Sequence, residues 1–377
     1  MKKVNIALVG LGFGGAFAPI YREHPNVGTI GVFDTDRAQA ERTSEYCGIE
    51  RMYDSFEEIL ADGSIDAVHL VTPIPLHAEQ VVRVLRAGKH CACTVPMATD
   101  LEGIQAISDA VRESGKNYMM METTLYTYQF FYIRSMIERG ELGRIQFLRG
   151  SHYQDMAAWP EYWLGLPPMH YSTHAIAPMA ALAEARVKRV VCFGSGSMDE
   201  AMHGRYGNPY PVESALLEFE NGLKGEVTRS LFETARAYQE GLFVYGSKKS
   251  FEWGFADGDA PYVSTLHAPD EHKRGGTVTV EVTQMPNAYH ALPEPIRHFT
   301  VGGNYDPLNP QASLSIGAGA GHHGSHPHLV HEFVMSIVEN RKPWIDEVLG
   351  GNITAAGICA HVSAMQNGTP VDIPLFH

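Results

Sequence analysis

The 377-residue chain is 44% hydrophobic and 19% charged, the make-up of an ordinary globular protein long enough for two domains. Its formal net charge of −14 repels polyanions on average, which argues against a nucleic-acid partner and leaves a small charged ligand open. The five cysteines (Cys47, Cys91, Cys93, Cys192 and Cys359) are scattered and odd in number, and they read as buried reduced thiols rather than disulfides or zinc ligands.

The opening MKKVNIALVGLGFGG lacks a cleavable signal pattern and no apolar run reaches about 18 residues, so a cytoplasmic protein with no membrane span is expected. Val4–Val9 reads as a buried strand. Gly10-Leu11-Gly12-Phe13-Gly14-Gly15 follows and fits G-x-G-x-x-G. Ala16–Arg22 can begin a helix with Pro19 in its first turn, and a second apolar run, Thr29–Phe33, ends at Asp34. Here Gly10 permits the tight turn, Gly12 lets the backbone approach a pyrophosphate, and Gly15 allows close helix–strand packing. Asp34 can hold the adenosine ribose, and its carboxylate repels a 2′-phosphate. NAD is therefore expected over NADP, a preference that Arg37 weakens slightly.

The alternation continues with a helix at Ser55–Asp62 and a strand at Ala67–Val71. The loop Thr72-Pro73-Ile74-Pro75-Leu76-His77 then leads into a helix at His77–Ala87. A strand at His90–Thr94, the segment Val95-Pro96-Met97-Ala98, a helix at Asp100–Ser114 and a strand at Tyr118–Met121 complete the first third. This is a doubly wound parallel sheet, in which Thr72, Pro73 and His77 are expected to line the ribose and nicotinamide side of the cofactor. Met119, Met120 and Met121 read as core, and Glu122 at the strand's C-terminal edge as a sugar-hydroxyl ligand.

Tyr153, Trp159, Tyr162 and Trp163 form an aromatic-rich segment suited to stacking on a sugar or to packing under a loop. Next comes His170-Tyr171-Ser172-Thr173-His174-Ala175-Ile176-Ala177-Pro178. If it is helical, His170, Tyr171 and His174 share one face. His-x-x-x-His can bind zinc, but the stretch lacks the glutamate of H-E-x-x-H; core packing and an acid–base pair are the other readings. Residues 199–210 and 257–297 read as loops and edge strands. Gly321–His331 holds five histidines in a loop entering a helix near His328. Metal binding, a pocket lining and solvent exposure are all compatible with it, and His323 is the choice for substrate contact.

The N-terminal GLGFGG, Asp34, TPIPLH, AGKHCACTVPMA, IERGELGRI and the closing AMQNGTPVDIP together resemble the Gfo/Idh/MocA family of NAD(P)-dependent sugar oxidoreductases, over essentially the whole chain. The resemblance implies an N-terminal Rossmann domain over 1–122 and a C-terminal α/β domain over 123–377. The second domain carries a large, mostly antiparallel sheet that covers the nicotinamide, and its last helix is expected to pack back towards the first. It also implies a homo-oligomer, dimer or tetramer.

Two departures narrow the reading. Thr94-Val95-Pro96 stands where family dehydrogenases carry Glu-Lys-Pro, and His170-x-Ser172-x-His174-x-x-Ala177 stands for D-x-G-x-H-x-x-D. A branch of NAD-dependent glycoside hydrolases, α-N-acetylgalactosaminidase-like, is similar in both respects. It resembles this chain in a Y-P-T-H motif at Tyr171–His174, a Met-Glu at Met121-Glu122, a Gly-x-Tyr near Gly150–Tyr153 and a GGHGG-like loop at 320–325. The likeness implies Tyr171 and His174 as catalytic, with Glu122, Tyr153 and His323 at the substrate, and Val95 and Pro96 beside the cofactor. Trp159 and Trp163 stand where that branch often places an arginine, and Trp159 is expected at the substrate as part of the aromatic segment. No metal is expected. The implied reaction is transient oxidation at C3 with His174 on the hydroxyl proton. Tyr171 then removes the proton from C2, the C1 substituent leaves, water adds and the ketone is reduced again. A sugar or cyclitol dehydrogenase and a non-catalytic NAD-binding regulator are the alternatives, and sulfonate- or carboxylate-bearing sugars stay open as substrates.

Overall fold

Short, continuously apolar strands build the first sheet, as a parallel sheet covered on both faces requires. In the computed structural model, which describes residues 3–256, 258–269, 272, 274–301 and 322–376, they are β1 (Val4–Val9), β2 (Val27–Phe33), β3 (Arg51–Met52), β4 (Ala67–Leu70), β5 (His90–Cys93) and β6 (Tyr118–Met120). All are parallel, in the order β3-β2-β1-β4-β5-β6. The order reverses between β1 and β4, which places the glycine loop next to the loop after β4. The connecting helices are α1 (Ala18–Glu23), α2 (Arg37–Cys47), α3 (Phe56–Ala61), α4 (His77–Arg86) and α5 (Leu101–Ser114).

Local chemistry sets their ends. Asp36, Ser55 and Asp100 cap α2, α3 and α5, each side chain accepting from backbone N–H groups of the first turn. A 3-10 turn, Gly14–Phe17, precedes α1, whose first turn holds Pro19 as expected. Helix α2 is additional to the sequence reading, because its largely polar, exposed surface gives a weak apolar stripe.

Nine strands form the second sheet: β7 (Ile145–Tyr153), β8 (Val187–Ser195), β9 (Val212–Phe219), β10 (Lys224–Ser230), β11 (Gln239–Gly246), β12 (Lys249–Glu252), β13 (Tyr262–His267), β14 (Thr277–Val282) and β15 (Val371–Asp372). Their order is β14-β13-β12-β11-β7-β10-β9-β8-β15, antiparallel throughout except for β7 beside β10. The remaining helices are α6 (Tyr128–Glu138), α7 (Thr173–Ala183), α8 (His326–Val338) and α9 (Glu347–Met365). Helix α7 packs on β7, β10 and β11.

The chain divides into two units, one of Met1–Tyr128, Asn287–Gly351 and Phe376–His377, the other of Gln129–Pro286 and Asn352–Leu375. The first unit therefore extends beyond the expected 1–122 and takes back a later segment, because α8 packs on α1 and β1. All five cysteines are buried free thiols. Helix α9 is long and apolar enough to cross a bilayer by length and composition, which the sequence reading did not foresee; most of it is buried inside the protein, as in a core helix.

Candidate active site

The cofactor residues gather at the C-terminal edge of the first sheet. Gly10 has φ +84°, and a Cβ there would lie 2.3 Å from the Val71 carbonyl oxygen, so β1 can turn beside the loop after β4 only on glycine. Gly12 meets nothing within 4 Å, which leaves an open backbone face. Close packing falls on Gly14, whose Cβ would sit 3.0 Å from Val71 Cβ; Gly15, expected in that role, meets only Thr43 at 3.7 Å. Phe13 is half exposed and leans on Phe17 and His326, with ring centroids 5.9 and 5.5 Å away.

Asp34, just past β2, accepts from the N–H groups of Leu11 at 2.6 Å and Asp36 at 2.8 Å. Each carboxylate oxygen keeps a lone pair for a ribose hydroxyl. Arg37 is paired with Glu41 at 3.1 Å and with Asp54, which offsets any pull on a 2′-phosphate. An open glycine loop tied to an acid in this register fits NAD.

Thr72 donates to Gln80 at 2.6 Å, and Pro73 leads into a 3-10 turn. His77 is buried, with Nδ1 2.8 Å from the Pro96 carbonyl and Nε2 2.9 Å from the Thr72 carbonyl. Its ring lies between the two loops at the sheet edge, and its single N–H in the neutral form donates to one of the two carbonyls, which positions Thr72 and Pro96. Burial holds its pKa below the usual histidine value.

Glu122 is fully buried, and its Oε1 caps the turn Thr123–Tyr126 by accepting from the Thr124 N–H at 3.1 Å and hydroxyl at 2.9 Å. His323 has φ +54° and packs edge-on against Tyr128 at 5.6 Å; Ala320 and Gly321 of its loop lie outside the described residues. The other histidines of this stretch diverge. His326 packs on Phe17 at 4.5 Å, and His331 meets His24 at 3.0 Å. Among the described residues none of them belongs to a group with metal-ligand spacing.

In the second unit, residues 170–174 are not one helix. A 3-10 turn, Pro168–Tyr171, stops at Ser172 before α7 begins. The break sends His170 to His361, with ring centroids 5.3 Å apart, while Tyr171 and His174 stay together at 5.4 Å and 88°. Burial pushes the His170 pKa down to about 3. Trp163 packs edge-on against Tyr171 at 4.8 Å. Trp159, half exposed, touches Trp163 at 5.5 Å, and Tyr153 carries Arg236 over its ring at 5.0 Å.

Strand alternation puts His152, not Tyr153, on the face under α7. Its ring lies 5.0 Å from His174 and 6.2 Å from Tyr171. Register then lines up a polar row across four strands: Glu240 on β11 opposes His152 on β7, His152 opposes Arg229 on β10, and Arg229 opposes Glu213 on β9. All four are buried. Arg229 donates to the carbonyls of Tyr171 at 2.9 Å, His152 at 3.1 Å and Ser230 at 2.6 Å, and to Gln154 Oε1 at 3.2 Å. Its Cζ lies 5.4 Å from the centre of the Tyr171 ring. Burial draws its pKa down to about 10, against the pull of Tyr171, Tyr238 and Glu240, so it stays charged at neutral pH. At the far end Glu213 accepts from the Met169 N–H at 2.8 Å and lies 2.7 Å from His361 Nδ1.

Residues 4–122 match a family model described as oxidoreductase family, NAD-binding Rossmann fold, and residues 130–252 match the Gfo/Idh/MocA C-terminal domain. A glycosyl hydrolase family 109 protein of Porphyromonas gingivalis is 25% identical over 262 residues, which is 63% of this chain and 54% of that protein. A levoglucosan dehydrogenase of Pseudarthrobacter phenanthrenivorans is 29% identical over 169 residues, 42% of this chain and 43% of its own. A scyllo-inositol 2-dehydrogenase (NAD(+)) of Bacillus subtilis is 25% identical over 240 residues, 60% and 67%. The matches span between 43% and 67% of the length of these three relatives. Among solved structures, a levoglucosan dehydrogenase in complex with NADH and L-sorbose is 22% identical with a TM-score of 0.78, covering 100% of both chains, which bears on the fold.

Proposed function

The chain belongs to the Gfo/Idh/MocA family of NAD-dependent oxidoreductases, and from that premise we propose that it is a glycoside hydrolase working through transient oxidation of the sugar. The observation that carries this reading is the pair of a partly exposed Tyr171 and a buried His174, held together beside the Arg229 guanidinium. Val95 supports it, because a valine cannot serve the acid–base role of the dehydrogenase lysine.

Bound NAD supplies the hydride acceptor for C3 and later gives the hydride back. His174 takes the proton of the C3 hydroxyl as that carbon becomes a ketone. The ketone acidifies the C2 hydrogen, since the resulting carbanion delocalises as an enolate. Tyr171 removes that proton in its phenolate form, to which the nearby guanidinium is attracted. The enolate collapses, the C1–O bond breaks, and the leaving oxygen is protonated from water. Hydroxide from that water adds to C1, Tyr171 returns its proton to C2, and His174 returns its own to the C3 oxygen. The sum is hydrolysis, with no net change in NAD.

A dehydrogenase that releases NADH is the second reading, favoured by the similarity to the levoglucosan and scyllo-inositol enzymes. Aryl glycosides incubated with NAD in heavy water separate the two. Hydrolysis predicts released phenol, deuterium at C2 and no accumulated NADH. Stoichiometric NADH without phenol would reject it. Tyr171→Phe and His174→Ala should each lower turnover by at least about a hundredfold, the low end of a general acid–base contribution, with NAD affinity unchanged. Wild-type rates in both variants would remove the pair from the mechanism.

A further inference from the structure

The row beneath the dyad holds a second constellation. His152 on β7, His174 on α7 and Glu240 on β11 each direct a ligand atom to one spot, and these atoms lie within 4.8 Å of one another. The three residues are buried, with exposures of 1%, 4% and 2%. His152 Nε2 and Glu240 Oε1 are 4.0 Å apart. That is too long for a hydrogen bond; two donors about 2.1 Å from one tetrahedral ion stand about 3.4 Å apart, so a small side-chain rotation would bring this pair onto a shared ion. The support is rigid. His152 and Glu240 are direct cross-strand neighbours, and Gly150 lets α7 lie tightly on β7, since a Cβ there would fall 2.5 Å from the Ala175 carbonyl.

We propose that His152, His174 and Glu240 form a site for one divalent transition-metal ion of the zinc class, and that its occupation withdraws His174 from proton transfer. Two imidazoles and one carboxylate are a borderline-soft donor set. It suits zinc or cobalt and gives magnesium and calcium too few oxygens. The surrounding charges permit it. The row holds two carboxylates, Glu240 and Glu213, against the single guanidinium of Arg229, and Tyr238 donates to Glu240 Oε1. With three protein ligands the ion keeps a position for water.

Metal binding stands apart from the proposed hydrolysis; the effect on turnover rests on it. The full chain, stripped with a chelator and dialysed, is titrated with cobalt(II) and followed by its visible d–d absorption. One tightly bound ion per chain is expected. His152→Ala and Glu240→Gln should each weaken binding by at least about tenfold, while His170→Asn, on the other side of the turn, leaves it unchanged. Circular dichroism and urea unfolding of each variant serve as the folding control, and His152→Asn replaces the alanine if that variant fails it. Absence of a stoichiometric cobalt spectrum, or one indifferent to both ligand variants, overturns the site. If the aryl glycosides are turned over, zinc should inhibit in proportion to occupancy, with chelator restoring the rate. Full activity with the site filled overturns the claim on His174 and leaves hydrolysis itself standing.

Discussion

Gly10 and Gly12 lie two residues apart in one loop and answer to different constraints. Gly10 is fixed by the protein: a side chain there would be strained at positive φ and would strike the Val71 carbonyl. Gly12 has no protein neighbour to strike, so an alanine there leaves the fold alone and occupies only ligand space. Gly12→Ala should keep its unfolding free energy within about 0.5 kcal/mol of wild type. It should still lose at least about tenfold in NAD affinity, or roughly 1.4 kcal/mol. Gly10→Ala should lose about 1–3 kcal/mol of stability. Urea unfolding and a fluorescence titration with NAD measure both, and unchanged NAD affinity in Gly12→Ala would dissociate this loop from the pyrophosphate. Arg229 is the opposite case, a residue whose worth is internal. Arg229→Met leaves four acceptors without their donor and two buried carboxylates without a guanidinium, at a cost of about 3–5 kcal/mol in urea unfolding. Tyr171 and His174 were legible through family resemblance; the single helix expected to set His170, Tyr171 and His174 on one face is broken at Ser172, and the two rings meet across that break. Arg229, His152, Glu240 and Glu213 were not, because each sits alone in a different strand. The available signal was phase: in β10 the buried positions are Gly225, Val227 and then Arg229, a charge where alternation calls for an apolar side chain.

At the level of elements, the placing of His174 depends on how closely α7 approaches β7. Gly150 sets that distance, and Gly150→Ala would force α7 outward or bend the strand. The expected cost is about 1–3 kcal/mol, with NAD affinity retained, since Gly150 and α7 both belong to the second unit. Gly63→Ala, open on all sides, is the neutral control. Equal stability of the two variants in urea would show that α7 is not seated on that glycine. The same dependence on packing explains what could be read from the chain. Around the first sheet, the ends of the elements read from the chain fell within one or two residues, because glycine, caps and apolar runs are local signals: Asp100 and Ser55 cap helices where the pattern starts. The polar α2 and the two-residue β3 carry no such signal and were not read. The second sheet was legible only through family resemblance. Its strands are paired by long-range register, and the break at Ser172, which parts the turn holding His170 and Tyr171 from the helix holding His174, has no marker in a stretch that otherwise reads as helix.

For the whole molecule, the many histidines predict an acid-labile fold. Burial holds the pKa of His24, His69 and His170 at about 3 and that of His328 at about 4. For His24 and His328 the neighbouring His331 adds to the effect of burial, and for His170 His361 does. In the unfolded chain each titrates near ~6.5. Below that pH the unfolded state binds protons that the folded state refuses, so unfolding becomes easier as pH falls and stability rises with pH across the window from ~6.5 down towards 4. Each such histidine contributes a slope of up to about 1.4 kcal/mol per pH unit, and above ~7 the contribution is constant. Ordinary carboxylates take up protons only near ~4, so the interval from about 6.5 to 5 reports the histidines. Urea unfolding between those pH values should show a net uptake of two or more protons. His69→Gln removes one titrating group and keeps a polar partner for Tyr21, whose hydroxyl lies 3.1 Å from His69 Nδ1. It should lose stability at pH 7 and flatten the slope by about one proton. A wild-type slope of less than one proton in that interval would mean that these imidazoles accept protons inside the folded protein, and the buried, neutral description of all four would have to be given up.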